Sequence, residues 1–333
     1  MFFIYFCTCK LSTMKKILTM LCFFLGLMPI AHSQQMPRLM VGDTIAIVAP
    51  SGKIDSTQVM PAVQVLQSQG YHVIIPEGLW DEWNGFAGSP TQRTQILQQM
   101  LDRPDVKVIL CARGGYGAVN ILDNLDFTAF RQHPKWICGF SDITALHSHL
   151  HTLGFPTLHS IMPTSISAKD PDSESFRTLL GALRGDTLDY TFDPAPENRC
   201  GTVTAPIVGG NLSILYSLLE SPSSINTDGK ILFIEDVDED IYHIHRMLVA
   251  LDRAGKLKNL KGLIVGGMTR IEVDKYFKDV NINEAILDVC GKYDYPVCFG
   301  FPAGHLKRNL ALRLGCTVTL TVTPDGCLLS DPE

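Results

Sequence analysis

The chain has 333 residues, of which 46% are hydrophobic and 19% are charged, as in an ordinary globular protein. Its 34 acidic and 28 basic residues give a net charge of −6 at pH 7. That balance argues against nucleic acid or an anionic membrane surface as a partner, because an acidic surface attracts neither. The length is comfortable for two domains.

The first 33 residues are predicted to be a secretory signal peptide, not part of the folded protein. Lysines precede the apolar stretch 17–30, and a small-x-small sequence at 31–33 follows it; Met14 is an alternative start. The apolar core of about 14 residues is shorter than the roughly 20 that a membrane span requires. We therefore expect an exported protein, periplasmic or secreted, with no stable membrane insertion after cleavage. An uncleaved N-terminal anchor is the alternative.

Short apolar segments alternate with helical patterns in the first half of the remaining chain. Strands that are apolar throughout indicate a parallel sheet with both faces covered. The predicted strands are 44–49, 71–75, 106–112 and 135–140, and the predicted helices are 56–69, 90–102, 116–124, 127–132 and 142–153, with Ser89 as an N-cap.

The segment 168–198 differs in composition, since it is rich in Asp, Pro, Glu, Ser and Thr. We interpret it as a linker between an N-terminal domain at 38–167 and a C-terminal domain at 199–333. Strands and helices continue to alternate. From here on the predicted helices are 175–184, 211–219, 242–251 and 282–290. The predicted strands are 230–234, 262–267 and 296–301, and a terminal hairpin is predicted from the strands 318–322 and 327–329.

A serine lies where one of the predicted strands meets a helix. In Gly139-Phe140-Ser141-Asp142 the strand ends in Gly-x-Ser and the helix begins at once. This arrangement holds the Ser141 hydroxyl on a tight turn, beside the first N–H groups of the helix, which can stabilise an oxyanion. The full nucleophile-elbow pattern also requires a small residue at the position of Ile143. From this segment alone, Ser141 is either a nucleophile or a helix N-cap.

A glycine-rich turn between a predicted strand and a predicted helix reads Arg113-Gly114-Gly115-Tyr116-Gly117. Such a turn presents bare backbone N–H groups to an anion or an oxyanion. It lacks the Gly-Lys-Ser/Thr of a P-loop and does not match the dinucleotide-binding fingerprint. A tight turn that merely requires glycine explains it equally well.

Two groups of histidines have spacings that raise the question of a metal site. His147 and His151 share one face of a predicted helix, with His149 between them, whereas His243 and His245 point to different faces of another. No third ligand is specified, and the HExxH arrangement is absent. We therefore predict solvated or core histidines and no metal ion.

Two further residues lie where the active sites of α/β folds are found. Glu235 ends a buried strand, and His305 follows the apolar run 298–302 in a Gly-His loop. A Ser, a Glu and a His, each at a strand end, supply a nucleophile, an orienting carboxylate and a general base.

Together these segments resemble the LD-carboxypeptidase family, the murein tetrapeptide carboxypeptidases that are grouped with microcin C self-immunity proteins. Each motif is weak alone, but their order is specific, and the resemblance extends over most of 42–315. The motifs are Ala49-Pro50-Ser51-Gly52, Phe86-Ala87-Gly88, the turn at 113–117, Gly-Phe-Ser-Asp at 139–142, Gly209-Gly210-Asn211-Leu212, Ile234-Glu235-Asp236 and Gly304-His305.

The resemblance implies an α/β fold with two domains and an active site at their interface. The N-terminal domain would be a flavodoxin-like parallel sheet that carries Ser141 as the nucleophile. The C-terminal α/β domain, with a mixed sheet of barrel-like character, would supply His305 as the general base and Glu235 as the carboxylate that orients it.

The resemblance also implies which groups surround the nucleophile. The oxyanion hole would use the backbone N–H of Asp142 and that of Gly114 or Gly115. A free terminal carboxylate on the substrate must be paired with a cation, and Arg113 is the candidate.

The implied reaction is the removal of the terminal D-alanine from a peptidoglycan stem tetrapeptide by a metal-independent, cofactor-free homodimer. Two features depart from the family. Where members often have Gly-Pro-Met, 159–163 reads His-Ser-Ile-Met-Pro, and well-known relatives act in the cytoplasm, whereas this chain is predicted to be exported. The alternatives are a microcin C-type detoxifying hydrolase with the same triad and a bilobed solute-binding protein that does not turn over its ligand.

Overall fold

Alternating strands and helices form the first half of the chain, in a computed structural model that describes residues 36–332. The predicted signal peptide lies outside these residues. The elements are β1 (Thr44–Val48), α1 (Ser56–Ser68), β2 (His72–Ile74), α2 (Pro90–Asp102), β3 (Val106–Cys111), α3 (Val119–Leu122), α4 (Thr128–Gln132), β4 (Trp136–Gly139), α5 (Thr144–Thr152) and β5 (Thr157–His159).

The second half has longer strands and ends in a hairpin. Its elements are α6 (Glu174–Arg184), β6 (Asp189–Phe192), β7 (Gly201–Asn211), α7 (Leu212–Ser217), β8 (Ile231–Val237), α8 (Ile241–Arg253), β9 (Gly262–Thr269), α9 (Ile282–Cys290), β10 (Val297–Cys298), β11 (Leu312–Leu314), β12 (Thr317–Val322) and β13 (Cys327–Ser330). Of the helices between residues 36 and 332, none combines the length and the hydrophobicity that a bilayer crossing requires.

The first sheet has the strand order β11-β5-β4-β3-β1-β2. Its strands β1 to β5 are parallel, and β11 pairs antiparallel with β5. The order β2-β1-β3-β4-β5 is that of flavodoxin-like folds, which confirms the predicted class. In such sheets ligands bind outside the carboxyl ends of the strands, where the strand order reverses. Here those ends lead into the segments 49–52, 112–117 and 140–143.

The second sheet has the order β10-β9-β8-β7-β12-β13-β6. Its strands β7 to β10 are parallel and the remaining pairs are antiparallel, so the predicted mixed sheet is confirmed. Arg199, just before β7, exchanges backbone hydrogen bonds with Val297 of β10, at 2.9 and 3.1 Å. The sheet therefore curls, which is its barrel-like character, but within residues 36–332 its strand order runs from β10 to β6 without closing into a barrel.

The predicted linker contains regular structure. Helix α6 begins at an N-cap, Ser173, and β6 is the edge strand of the second sheet. Strand β11 lies far along the chain but belongs to the first sheet. The division into domains at 38–167 and 199–333 stays a prediction.

Local sequence explains why the helix before β3 begins where it does. Ser89 Oγ accepts a hydrogen bond from the backbone N–H of Gln92, and the Gln92 side chain accepts one from the backbone N–H of Ser89. Pro90, at the first helical position, has no N–H to satisfy. This capping box confirms the predicted start of α2.

One glycine allows β7 and β8 to lie side by side. Gly209 has φ +136°, and a Cβ atom there would lie 1.8 Å from the carbonyl oxygen of Phe233. Because Gly209 lets the two backbones come this close, β7 and β8 pair up to their ends, where Asn211 lies opposite Glu235. The position of Glu235 therefore depends on a residue without a side chain at 209.

We expect Gly209→Ala to lower the free energy of unfolding by about 3 kcal/mol or more, because the new methyl group collides with backbone in an already strained conformation. Gly229→Ala is the matched control: its φ is +71°, but a Cβ there meets nothing within 4 Å. It should cost only about 1–2 kcal/mol of backbone strain. Urea unfolding measures both, and equal losses would contradict the steric argument.

Candidate active site

Ser141 lies on a strained turn after β4. Its φ is +63°, in the left-handed region that residues with a side chain rarely adopt. One turn of 3₁₀ helix, Ser141–Ile143, leads into α5, whose N-cap position is Ile143. The Ser141 side chain makes no capping hydrogen bond, so the interpretation of this serine as a helix N-cap is wrong.

Ser141, His305 and Glu235 form a hydrogen-bonded line. His305 Nε2 lies 3.2 Å from Ser141 Oγ, and His305 Nδ1 lies 2.7 Å from Glu235 Oε2. The Glu235 side chain is fully buried, whereas that of His305 is 21% exposed. The structure thus brings together three residues that are separated by 94 and 70 positions in the chain. They come from the turn after β4, from β8 and from the loop after β10.

The backbone around His305 fixes the orientation of its ring. Gly304 has φ +108°, and a Cβ there would lie 2.7 Å from Glu235 Oε2, so only glycine fits. The backbone N–H of Gly304 donates to Asn309 Oδ1 at 3.0 Å, and Thr269 Oγ1 donates to the His305 carbonyl at 3.0 Å. The ring of Phe140 contacts the His305 ring edge to face, with centroids 4.9 Å apart. The ring therefore has little freedom to turn.

Burial raises the pKa of Glu235 above its ordinary value, and the hydrogen bond from His305 opposes that rise. Glu235 Oε2 also accepts the backbone N–H of His305 at 3.3 Å, while Oε1 has no partner among the described residues. A buried carboxylate of this kind is stabilised most when the histidine beside it carries a positive charge. The arrangement suits a base that becomes an imidazolium during reaction.

The glycine-rich turn approaches Ser141 closely. A Cβ on Gly114 would lie 2.8 Å from Ser141 Cβ and 3.0 Å from Ser141 Oγ, and 3.4 Å from the backbone nitrogen of Asp142. The Gly114 carbonyl accepts a hydrogen bond from Gly52, and Gly115 follows with φ +108°. The turn at 113–117 and the start of the 3₁₀ helix therefore enclose the space next to the serine hydroxyl.

A buried carboxylate ties these loops together. Asp142 Oδ2 accepts hydrogen bonds from Ser51 Oγ at 2.5 Å and from the backbone N–H of Ala118 at 2.8 Å. Buried Arg93 donates to the carbonyls of Pro50 and Gly117, at 2.5 and 2.7 Å. Burial raises the pKa of Asp142, and its hydrogen bonds and the nearby guanidinium oppose the rise.

Sequence reasoning missed both Arg93 and the Asp142 side chain. Arginine on a helix is usually solvated, and nothing in the local pattern of α2 marks Arg93 as buried. The Ala-Pro-Ser-Gly motif at 49–52 was the available signal, since it contains Ser51, the partner of Asp142.

Arg113 is exposed at the edge of this site. Its Nη1 donates to the carbonyl of Lys53 at 3.0 Å. Within the described residues it has no carboxylate partner, so most of its guanidinium donors are available to a ligand.

Of the histidines of α5, His147 is a core residue, whereas His149 and His151 are partly buried. His147 Nε2 lies 2.9 Å from the carbonyl of Gly139, and His151 Nε2 lies 3.0 Å from Thr157 Oγ1. Burial lowers the pKa of His147 to about 4 and that of His151 to about 3. Between residues 36 and 332, no group of three His, Cys, Asp or Glu side chains could hold a metal ion.

Comparison with known proteins identifies both halves of the chain. One family model, described as the LD-carboxypeptidase N-terminal domain, matches residues 45–160, and another, the LD-carboxypeptidase C-terminal domain, matches residues 204–320. A probable murein peptide carboxypeptidase of Bacillus subtilis (strain 168) is 32% identical, over 84% of this chain and 89% of that protein.

Solved structures share the fold. The muramoyltetrapeptide carboxypeptidase from Oxalobacter formigenes has a TM-score of 0.80 and 27% identity, and the match covers 87% of this chain and 99% of that one. A microcin self-immunity protein has a TM-score of 0.78 and covers 89% of this chain and 98% of its own. Its identity is 22%, so that likeness concerns the fold alone.

The buried His147 makes stability depend on pH. Its pKa falls from 6.5 to about 4 on folding, so between these values the unfolded chain binds a proton that the folded chain does not. The stability that neutral, buried His147 provides is fully present above pH 6.5. As the pH falls toward 4 this stability is lost, and the free energy of unfolding decreases by up to about 1.4 kcal/mol per pH unit. We expect His147→Gln to flatten the dependence of unfolding free energy on pH by that amount.

Urea unfolding between about pH 7 and pH 5 measures this slope. Burial raises the pKa of Glu235 and of Asp142, and these two groups change the pH dependence of stability in the opposite direction. Because they are present in both proteins, the difference in slope between parent and variant reports His147 alone. Exposed His133→Gln is the matched control. Identical slopes for the parent and His147→Gln would overturn the explanation.

Proposed function

The chain belongs to the LD-carboxypeptidase family and is a serine-type carboxypeptidase, and we propose that it removes the terminal D-alanine from a peptidoglycan stem tetrapeptide through an acyl-enzyme. The observation that carries the proposal is the line of contacts from Ser141 through His305 to buried Glu235, at 3.2 and 2.7 Å. This is the geometry of a nucleophile, a general base and an orienting carboxylate.

The first step is attack on the carbonyl carbon of the third stem residue. Ser141 Oγ forms the new bond while its proton passes to His305 Nε2. The Nδ1–H of His305 donates to Glu235 Oε2, which holds the ring in the tautomer with Nε2 free and stabilises the imidazolium that forms. Because Glu235 is buried, water does not compete for its charge.

Backbone donors stabilise the negative oxygen of the tetrahedral intermediate. Asp142 is the second residue of the 3₁₀ helix, where the N–H has no partner within the helix. Gly114 or Gly115, on the turn that touches Ser141, supplies the second N–H. The Asp142 carboxylate fixes both donors, since it binds Ser51 and the backbone of Ala118.

Collapse of the intermediate breaks the bond to D-alanine. The amine nitrogen takes the proton from His305 Nε2 and leaves, and the tripeptide remains on Ser141 as an ester. Water then attacks the ester while His305 accepts its proton, and the tripeptide leaves as the carboxylate with Ser141 restored.

We further propose that the enzyme is exported, because the first 33 residues have the pattern of a signal peptide. An exported enzyme would meet muropeptides or cell wall outside the inner membrane. Homodimer formation stays a prediction.

We expect Ser141→Ala and His305→Ala to lower the rate of D-alanine release by about 10⁴-fold or more, and Glu235→Gln by up to about 10⁴-fold. The measurement is the mass of a muramoyl tetrapeptide incubated with mature protein or variant. Ser217→Ala, at an exposed serine of α7, is the matched control and should keep parental activity.

Far-ultraviolet circular dichroism and thermal unfolding establish that each variant is folded. Full activity of folded Ser141→Ala would overturn the mechanism. If neither parent nor variant releases alanine, the substrate assignment fails. Turnover of an aminoacyl-nucleotide analogue would then favour the detoxifying hydrolase. Tight binding of the peptide without turnover would favour a solute-binding protein.

Arg113 is proposed to bind the terminal carboxylate of the substrate. We expect Arg113→Gln to raise KM by about tenfold, with kcat changed much less, because a charged contact present in both ground and transition state is removed. Steady-state kinetics measure this effect. The control substrate is the same peptide with an amidated C-terminus, on which parent and variant should be equal; an equal KM for the acid would exclude the role.

A further inference from the structure

Arg93 is a buried cation with no part in the proposed reaction steps. It lies near the start of α2, and only 1% of its surface is exposed. A charge removed from water in this way is unfavourable unless its donors are paired. The hydrogen bonds that Arg93 donates go to backbone carbonyls of loops that border the active site. Arg93 therefore links the start of α2 to the surroundings of Ser141.

Three carbonyl groups from three different loops accept these hydrogen bonds. Nε donates to Gly88 at 3.2 Å, and Nη1 donates to Pro50 at 2.5 Å and to Gly117 at 2.7 Å. The guanidinium group also lies over the ring of Phe86, with Cζ 4.9 Å from the ring centroid. Because the donors of a planar guanidinium point in fixed directions, Arg93 sets where the three loops lie relative to one another.

One peptide group lies between Arg93 and the carboxylate of Asp142. The carbonyl of Gly117 accepts a hydrogen bond from Arg93, and the N–H of the next residue, Ala118, donates to Asp142 Oδ2 at 2.8 Å. The carbonyl and the N–H are the two ends of the same peptide dipole, so its negative end faces the cation and its positive end faces the anion. Hydrogen bonds to charged groups are the strong ones, and two of them hold this peptide in one orientation.

Only glycine allows the contact at position 117. Gly117 has φ +127°, and a Cβ there would lie 2.7 Å from Arg93 Nη1 and 2.9 Å from the ring of Phe86. Gly117 is also the last residue of the glycine-rich turn that supplies an oxyanion N–H in the proposed mechanism. A backbone so rich in glycine has many conformations open to it, and the bond from Arg93 removes that freedom at one end of the turn.

We propose that Arg93 is a positioning residue for the oxyanion hole. This inference rests on the proposed function, since it concerns the same tetrahedral intermediate. Because it is buried, Arg93 does not reach the substrate. It acts through the Gly117 carbonyl and keeps the turn at 113–117 where one of its N–H groups faces the negative oxygen. Its contribution is therefore made in the transition state, where that charge develops, and not in the binding of the tetrapeptide.

Arg93→Gln removes the charge and should lower kcat for D-alanine release by about 10²-fold, the loss expected when one oxyanion donor is misplaced, while KM changes by less than about threefold. Arg93→Lys keeps a positive charge, but one ammonium group cannot span the three carbonyls. Its kcat should therefore stay about tenfold or more below that of the parent. Near-ultraviolet circular dichroism gives the folded fraction, and each kcat is expressed per folded molecule.

Lys135→Gln is the matched control, because Lys135 is another fully buried cation that binds backbone carbonyls. Its Nζ donates to the carbonyls of Leu101 and Arg103, at 2.5 and 2.8 Å. It directly precedes β4, at the end of that strand away from Ser141. Lys135→Gln should lower the free energy of unfolding, as Arg93→Gln does, and yet keep the parental kcat.

A second measurement separates the transition state from the ground state. A stem tripeptide that ends in a boronic acid forms a tetrahedral anion when Ser141 Oγ bonds to boron and its proton passes to His305. In Arg93→Gln the Kd of this analogue should rise by about the same factor as kcat falls, about 10²-fold, whereas the Kd of the tripeptide product should not change.

Three results would overturn this inference and leave the proposed function intact. They are a parental kcat in folded Arg93→Gln or Arg93→Lys, a loss that appears in KM alone, and an equal fall of kcat in Lys135→Gln. Release of alanine by none of the proteins, the parent included, would instead refute the proposed function itself.

Discussion

The hydrogen bond between His305 and the buried carboxylate of Glu235 is the constraint on which the rest of the structure depends. An ionised carboxylate without water is costly unless it is paired and hydrogen-bonded, so the loop after β10 must keep its backbone and its imidazole against Glu235. That requirement explains Gly304, whose missing side chain lets the loop approach. It also explains the contacts from Thr269 and Asn309 that hold the loop in place.

Ser141 is kept in register with this pair by contacts between α5 and β7. Thr144, the first residue of α5, accepts a hydrogen bond from the backbone N–H of Asn211 at 2.9 Å, and a Cβ on Gly210 would lie 2.4 Å from the same hydroxyl. Asn211 is the neighbour of Glu235 across β7 and β8. The turn that carries Ser141 therefore rests on the strand beside Glu235, and a small shift between the sheets would change the distance from Ser141 to His305.

Sequence alone predicted β1 to β4 of the first sheet, because buried parallel strands are uniformly apolar, and it missed β5. The strand ends, together with the resemblance to the family, pointed to the three residues that now form a line. Sequence reasoning also missed β7 entirely, because Pro206 and the glycines at 209 and 210 interrupt the apolar pattern. Strands β6 and β11 were missed because each is short and obtains its stability from distant partners. The roles of Ser141, Glu235 and His305 stay a prediction, although the geometry agrees with them.

The edge of the first sheet has a consequence for how the chain can be divided. Strand β5 is an interior strand only because β11, about 155 residues later, pairs with it antiparallel, with Leu312 opposite His159. A fragment that stopped at the predicted linker would expose the backbone of β5 as an open template for other chains. It would also lack the last contacts that complete the sheet. During synthesis this half must wait for almost the whole chain before its sheet is complete, a long-range closure that favours slow folding and a need for protection from aggregation.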